Sequence, residues 1–485
     1  MIKALNATTA EKPEWPVKIL QFGEGNFLRA FVDWMIHKAN EAGIMKHGVA
    51  IVQPIAGGDY VRGLFQKQDN LYHVYLEGIK DKQPVKEVTL VNCITTVNNP
   101  YSDYSSYASL FLSESLEMII SNTTEAGIRY EEGDDLHAEP PASFPAKMTA
   151  LLYKRFQKFN GDPARGLSVI CCELIEDNGS TLRQYVLQHA AANKLGADFE
   201  NWVQTSCHFY DTLVDRIVPG FPKETIDEIK TEIGFDDNLV VKGEYFHVWA
   251  IGGDSSIKEL LPLDKAGLNV LFMDDIREFR AKKVRILNGS HTGMVPVALQ
   301  LGCETVMDAF NTPEVEQFIN RMVAEETLPV IKEEPEELKK FAGKILERFY
   351  NPFLKHYLKD ISLNSLSKWE TRNFPTVKDN FTQLNKNARL NSFSFAALLV
   401  LYSGKSAVNF TPNDTPEFVE FIRSGFDAGN IKGWVESIVK NRKIWKEDFS
   451  LSPYFIDEVA AGATAILQKG MKNALSELLI SEKQQ

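Results

Sequence analysis

Within nine residues, the stretch Ala281–Gly293 (AKKVRILNGSHTG) places Lys283, Asn288 and His291. An amine of lowered pKa can take an alcohol proton or return it. A carboxamide NH2 can hydrogen-bond a developing alkoxide, and an imidazole can orient a hydroxyl. Together these groups suit the interconversion of a carbonyl and an alcohol. At about 100° per residue, Lys283 and His291 stand roughly 80° apart around a helix, with Asn288 about 60° beyond His291. One side of a helix can therefore carry all three. The same spacing also describes an amphipathic helix with Val284, Leu287 and Met294 turned inward and the polar groups merely solvated. Gly289 costs about 1 kcal/mol in a helix interior, so the sequence predicts either a close approach there or a break.

Such a set needs a scaffold, and the N-terminal half supplies a pattern for one. The apolar run Val17–Phe22 is followed by Gly23-Glu24-Gly25, and from Asn26 to Ala39 the apolar residues Phe27, Ala30, Phe31, Trp34 and Met35 fall at helical spacing. Strand, glycine turn and helix open a dinucleotide-binding βαβ unit, in which glycines let backbone N–H groups approach a pyrophosphate at a helix start. Phe22, Gly23, Gly25, Asn26 and Phe27 are the candidate cofactor residues of this turn. The third glycine of GxGxxG is replaced by Leu28. The next strand, Val49–Val52, ends in Gln53-Pro54, with neither an acid for a ribose 2′-hydroxyl nor an arginine for a 2′-phosphate. These residues leave NAD and NADP both open, with Asp59 and Arg62 a little further on.

Val88–Val97 reads as extended, Leu116–Ser121 and Leu167–Cys172 as buried strands. Thr124 and Glu125 lie in the loop after Leu116–Ser121, where a doubly wound sheet presents its cofactor loops. Asn178 lies beyond Leu167–Cys172, either as a ligand-facing amide or as part of a turn opening the helix Ser180–Lys194. Asp215-Arg216 reads as a structural ion pair, and Glu244–Trp249 as a strand completing the first half. From about residue 276 helical patterns dominate. The predicted organisation is an α/β, Rossmann-like doubly wound domain over 1–275 and a mainly α-helical substrate-binding and catalytic domain over 276–485. The Lys283 stretch falls at their junction.

The chain has 485 residues and a formal net charge of −12, which disfavours a nucleic-acid partner. There is no apolar run of about 18 residues and no signal-type start, so no membrane partner and a cytoplasmic protein are expected. The five cysteines are scattered, and no CxxC, HExxH or His-x-Cys cluster points to a metal. An oligomer is compatible with the sequence but not implied by it.

Several segments in order resemble the polyol-specific long-chain dehydrogenases, the mannitol dehydrogenase family. Gly23–Ala30 is similar to that family's GxGxFxRA turn, Thr124–Gly127 to its TEKG loop, and Leu213–Ile217 with Pro219 to its MVDRITP segment. Lys283-x4-Asn288-x2-His291 is similar to its catalytic signature. Gly243–Phe246 and Arg348–Pro352 resemble the branch that acts on keto-sugar acids. The resemblance implies metal-free hydride transfer between NAD and a secondary alcohol of a small sugar acid. It makes Lys283 the acid/base, Asn288 and Asn178 the oxyanion holders, and His291 the partner of a substrate hydroxyl. Lys378 and Lys386 match a substrate-binding lysine more loosely. Two departures stand out: Cys172-Glu173-Leu174 replaces a Cys-Asp-Asn segment, and Arg280 stands where an acid is often found, offering a cation to a carboxylate. A dinucleotide-binding sensor without turnover is the rival of another class; it would have no need of a proton donor.

Overall fold

The computed structural model describes residues 2–123, 127–353, 355–446, 449 and 454–481. Contacts divide the chain into two units, Met1–Arg277 and Glu278–Gln485.

The first unit is built on an eight-stranded sheet. Its strands are β1 (Val17–Phe22), β2 (Gly48–Val52), β3 (Ile94–Asn98), β4 (Met118–Ser121), β5 (Ser168–Cys171), β6 (His208–Asp215), β7 (Val248–Gly252) and β8 (Val270–Met273). Their order across the sheet is β8-β7-β6-β5-β4-β1-β2-β3. The six strands β1 to β6 run parallel, β7 is antiparallel to β6, and β8 is parallel to β7. The order 3-2-1-4-5-6 is that of a doubly wound dinucleotide-binding sheet, whose ligands sit beyond the strand carboxyl ends. Alternate residues of β1 enter two different cores: Ile19 packs with Val49, Ile51 and Ile120, while Leu20 and Phe22 pack with Ala50, Val52 and Ile119. Both faces are covered, which is why these strands are continuously apolar.

Two of the predicted strands come out differently. Glu244–Trp249 is not one strand. Val241–Glu244 belongs to a separate three-stranded sheet with Tyr72–Lys80 and Gln83–Val91, while Val248 begins β7. Val88–Val97 is likewise split, between Gln83–Val91 and β3. Nor does Arg216 centre on Asp215. Its guanidinium donates to the carbonyls of Ala30 (2.5 Å), Tyr245 (3.2 Å) and Phe246 (3.2 Å) and lies over the Trp34 ring.

Helix α1 follows β1 in three consecutive segments, Asn26–Leu28, a π-helical turn Arg29–Asp33, and Trp34–Glu41. Helix α2 (Asn178–Ala192) follows β5.

Among its described residues the second unit consists of helices. Helix α3 (Arg277–Lys283) leads into a π-helical turn, Val284–Asn288, and then into α4 (Gly289–Gln300). Later come α5 (Ser365–Arg372), α6 (Phe374–Leu384) and α7 (Arg389–Ser403). Almost every residue of α7 is buried, as expected of a helix that is apolar all round and central to its core. It packs with α4 in one large cluster that includes Met294, Val297, Phe395 and Leu399.

Candidate active site

In the first unit, β1 ends at a turn built for close approach. Gly23 adopts φ +126°, and a Cβ there would stand 3.2 Å from both the Asn122 carbonyl oxygen and Leu28 Cδ1. Leu28, in place of the third glycine, is buried and fills the space beneath the turn. Gly25 caps α1 without a side-chain bond. It is exposed, and a Cβ on it would meet nothing within 4 Å. The first-turn N–H groups of α1 receive no side-chain cap from Gly25 and have no intrahelical partners, as an anion site requires. Asn26 is exposed; its Oδ1 accepts from Arg29 Nη2 at 2.6 Å. Phe27 is half-buried and stacks on Phe31. Phe22 has a different place. Its ring is buried between Tyr107 and Phe144, and only its backbone borders the turn. Thr124 and Glu125 lie outside the described residues.

Beneath the turn, Gln21 Nε2 donates to the Gly23 carbonyl (3.0 Å) and to Asp33 Oδ2 (3.4 Å). The Tyr72 hydroxyl also donates to Asp33 (2.9 Å). Burial pushes the Asp33 carboxyl up to about 7, against the pull of these donors and of Arg29.

At the end of β2, Gln53 is fully buried and neither Nε2 nor Oε1 has a hydrogen-bond partner. It lies against Gly58, where an added Cβ would stand 1.8 Å from Gln53 Nε2 and 2.9 Å from Glu24 Oε1. A cavity of about 630 Å³ opens nearby, lined by Pro54, Ile55, Thr123, Gly127 and Lys147 among others. It lies beyond the carboxyl ends of β2 and β4. The Lys147 amine is buried, donates to the Ala142 carbonyl (2.6 Å), and is lowered to about 8 by burial. An open glycine turn, an unsatisfied carboxamide at the ribose position and this cavity fit a dinucleotide.

Across the sheet, Glu173 at the end of β5 accepts from the Thr123 N–H (2.9 Å), the Thr123 hydroxyl (3.0 Å) and the Ser121 hydroxyl (3.0 Å). The acid that departs from the family segment is therefore a brace for the loop after β4. Asn178 is fully buried. Its Nδ2 donates to the carbonyls of Cys171 (3.0 Å), Glu173 (2.9 Å) and Thr212 (3.2 Å), and its Oδ1 accepts from the N–H groups of Gly179 and Thr212. Both amide hydrogens are committed to the backbone between β5, α2 and β6.

In the second unit the helical-wheel estimate needs correction. Lys283 ends α3, Asn288 ends the π turn, and His291 lies in the first turn of α4. The Gly289 N–H reaches back five residues to the Val284 carbonyl. In a uniform α-helix Lys283 and Asn288 would be about 140° apart, but i→i+5 bonding brings residues five apart toward the same side. Lys283 and Asn288 are both partly buried, and the Asn288 Oδ1 is buried without a partner. At Gly289 the expected approach comes from the Arg372 carbonyl, 3.4 Å from an added Cβ, an ordinary contact. The tighter glycine is Gly293, where Met322 Cε would be at 2.8 Å.

His291 is buried, stacked on Phe349 (centroids 4.3 Å) and edge-on to His356 (5.1 Å). Burial lowers its pKa far below the ordinary value, and the charges of His356, Arg348, Arg372 and Lys283 lower it further. The imidazole is therefore neutral near pH 7. Arg280 and Lys378 are partly buried on α3 and α6, and Lys386 is exposed just after α6. None of these three is among the leading influences on His291, whereas Arg348, His356 and Arg372 are. Sequence reading missed that trio as a group; Arg348 stood inside a quoted motif, but nothing in the spacing joined it to the other two.

A family model described as the mannitol dehydrogenase Rossmann domain matches residues 17–265, and one described as the mannitol dehydrogenase C-terminal domain matches residues 275–467. The chain belongs to the mannitol dehydrogenase family. Among curated members, the altronate oxidoreductase of Bacillus subtilis is 43% identical over 469 residues, covering 96% of both chains. That of Bacteroides thetaiotaomicron is 39% identical over 484 residues, covering 99% of this chain and all of its own. The fold is shared with the Pseudomonas fluorescens mannitol 2-dehydrogenase solved in a ternary complex with NAD and D-mannitol. That similarity has a TM-score of 0.72 and 20% identity, covering 98% of this chain and 99% of that one. In this member Lys283 precedes the π-helical turn, Asn288 ends it and His291 follows it.

Proposed function

We propose that this chain reduces D-tagaturonate to D-altronate with NADH, reversibly, as a cytoplasmic enzyme of hexuronate catabolism. The observation that carries the reading is the 43% identity to an altronate oxidoreductase over 96% of both chains. The Lys283-Asn288-His291 set on its π-interrupted helix supports it. Residues 1–275 take the dinucleotide, and residues 276–485 carry the proton chemistry.

The N–H groups at the start of α1, the Gly23 and Gly25 turn and the Gln53 carboxamide would hold the dinucleotide, with Asn26, Phe27, Thr124 and Glu125 bordering it. When bound, the reduced nicotinamide supplies a hydride to the ketone carbon. Lys283, as the ammonium, gives its proton to the carbonyl oxygen, and the C=O becomes a secondary alcohol. Lys283 is left as the neutral amine and is reprotonated from solvent. In the reverse direction the amine takes the hydroxyl proton, a role that requires an ammonium more acidic than an ordinary lysine. The Asn288 NH2 donates to the oxygen as negative charge builds on it, an effect of about 10²–10³ in rate per donor. Its Oδ1, buried without a partner, accepts from a hydroxyl or from the ammonium. The neutral His291 ring orients a substrate hydroxyl and does not compete as a proton donor. Asn178 holds the turn between β5 and α2; donation to a substrate oxygen would cost it one of its three carbonyl bonds.

The test follows NADH and NADPH absorbance with D-tagaturonate, D-fructuronate and D-fructose, for the wild type and for Lys283→Ala. NADH with tagaturonate is expected to be fastest. Lys283→Ala is expected to lose about 10³ in kcat, within the range of general acid catalysis, while still quenching or shifting NADH fluorescence as the wild type does. Retention of more than about a tenth of the activity removes the lysine from the mechanism. A preference for fructuronate or fructose overturns the substrate.

A further inference from the structure

Phe349 and His356 both pack their rings against His291. Arg372 reaches the same place from the end of α5, where its Nη1 donates to the hydroxyl of Thr292, the next residue along α4 (3.3 Å). An arginine from the end of α5 and the His356 imidazole thus reach one turn of α4, with Arg348 and Lys283 among the groups that act on His291. Arg348 is buried, 9% exposed, while Arg372 and His356 keep partial exposure.

The electrostatics of this cluster are one-sided. The leading electrostatic influences on His291 all come from basic groups. His356 is itself lowered by burial and then by Arg348, and the one acid that opposes this is Asp360. Lys368, one turn before Arg372, is lowered by burial and then by Arg372, with Asp414 opposing. Asp414 is already held by the Tyr402 hydroxyl (3.0 Å) and the Leu366 N–H (2.9 Å). Arg372 is lowered by burial alone, and its guanidinium keeps donors beyond the one spent on the Thr292 hydroxyl. A neutral polyol offers nothing to such a group. A carboxylate does, and the planar guanidinium is the side chain suited to receive it through two parallel bonds.

We propose that Arg372 and His356 form the receptor for the substrate carboxylate, so that this pair selects sugar acids over neutral ketoses and polyols. The assignment rests on the keto-acid reading given under Proposed function and names residues different from Arg280, Lys378 and Lys386. With the acid end held there, His291 and Asn288 meet the hydroxyl and carbonyl groups further along the carbon chain.

The experiment compares kcat/KM for D-tagaturonate and for D-tagatose, which differs by carrying CH2OH in place of the carboxylate, in the wild type, Arg372→Gln, Arg372→Lys and His356→Gln. A hydrogen bond between charged partners is worth about 1.5–3 kcal/mol, so Arg372→Gln is expected to lose about 10–100-fold with tagaturonate and less than threefold with tagatose. Arg372→Lys is expected to recover part of the loss. In parallel, calorimetric binding of D-altronate and of neutral altritol is measured, a readout that needs no turnover. His356→Gln guards against a misfolded arginine variant, with circular dichroism as the control. If the wild type reduces tagaturonate and the variants keep its acid-to-neutral ratio, the receptor is refuted and the function stands. Equal losses with both substrates refute it as well, because that is a structural effect. If the wild type reduces no keto acid but binds altronate in an Arg372-dependent way, the function falls and the receptor stands. If altronate binding is absent or indifferent to both residues, the receptor falls.

Discussion

Gln53 shows how much a single side chain can report. In the usual dinucleotide fold an acid at the end of the second strand takes the ribose hydroxyls; here the position holds a carboxamide. Both of its polar atoms are buried and unpaired. A buried polar group left unsatisfied costs about 1–3 kcal/mol, and proteins keep few of them. A vicinal diol, donor and acceptor at once, would satisfy both ends. Gln53→Ala is therefore expected to weaken NADH binding about tenfold, the worth of one net neutral hydrogen bond at the upper end of its range, with kcat little changed. Fluorescence titration with NADH reads this directly, and an unchanged Kd would mean that the carboxamide merely fills space against Gly58. The sequence displayed the missing acid at this position. It could not display the unpaired state of the amide, which depends on Gly58 and Glu24 five residues downstream and twenty-nine upstream.

At the scale of elements, what was legible follows from burial. The strands β1, β2, β4 and β5 are covered on both faces, so each is a continuous apolar run that can be read directly. Strand β6 is covered too, but Asp211 and Thr212 interrupt its run. These two are spent on α2: Asp211 accepts from the Ser180 N–H and hydroxyl, and Thr212 exchanges bonds with Asn178. A strand whose polar residues serve a neighbouring helix looks like a loop in one dimension. Helices α5 and α6 have asparagines and a proline at their starts: Asn364 and Asn373 stand at the N-cap positions of α5 and α6, and Pro375 lies in the first turn of α6. The π turn before α4 has no signature in apolar spacing at all, yet it decides how Lys283 and Asn288 face one another. The packing of α2 on β6 gives a prediction at this scale. A Cβ on Gly179 would stand 2.3 Å from the Tyr210 carbonyl oxygen, and backbone cannot yield as a side-chain tip can. Gly179→Ala should cost about 3 kcal/mol, at the upper end for overpacking, read as a lower urea midpoint. Since the same shift would drag Asn178 and the end of β5, activity should fall with it. A variant of wild-type stability would show that α2 is not seated as closely as described.

Over the whole molecule, the buried histidines set the response to acid. In the first unit burial lowers His37, His189, His47 (to about 4) and His247 (to about 3). In the second it lowers His291 and His356. Each is neutral in the native state, while the unfolded chain takes up its proton near 6.5. Below that value the unfolded state holds more protons than the native state, so each histidine makes stability fall as pH drops, until the native group also titrates. Two buried acids in the first unit act in the opposite sense. Asp33, raised to about 7, and Glu173, also raised, carry native protons that the unfolded chain has lost above its ordinary carboxyl values, and they add stability as pH falls. Four histidines stand against two acids in the first unit, and two histidines act in the second. Each mismatched proton is worth about 1.4 kcal/mol per pH unit, so the sign is decided in both units. Urea midpoints measured at constant ionic strength should fall between pH 7 and pH 5 for every resolved transition. Proton uptake on unfolding at pH 5.5, measured by calorimetry in buffers of different ionisation enthalpy, should be positive. Midpoints that hold or rise on acidification would mean that the imidazoles are charged in the folded protein, and His291 could then no longer act as the neutral partner of a substrate hydroxyl.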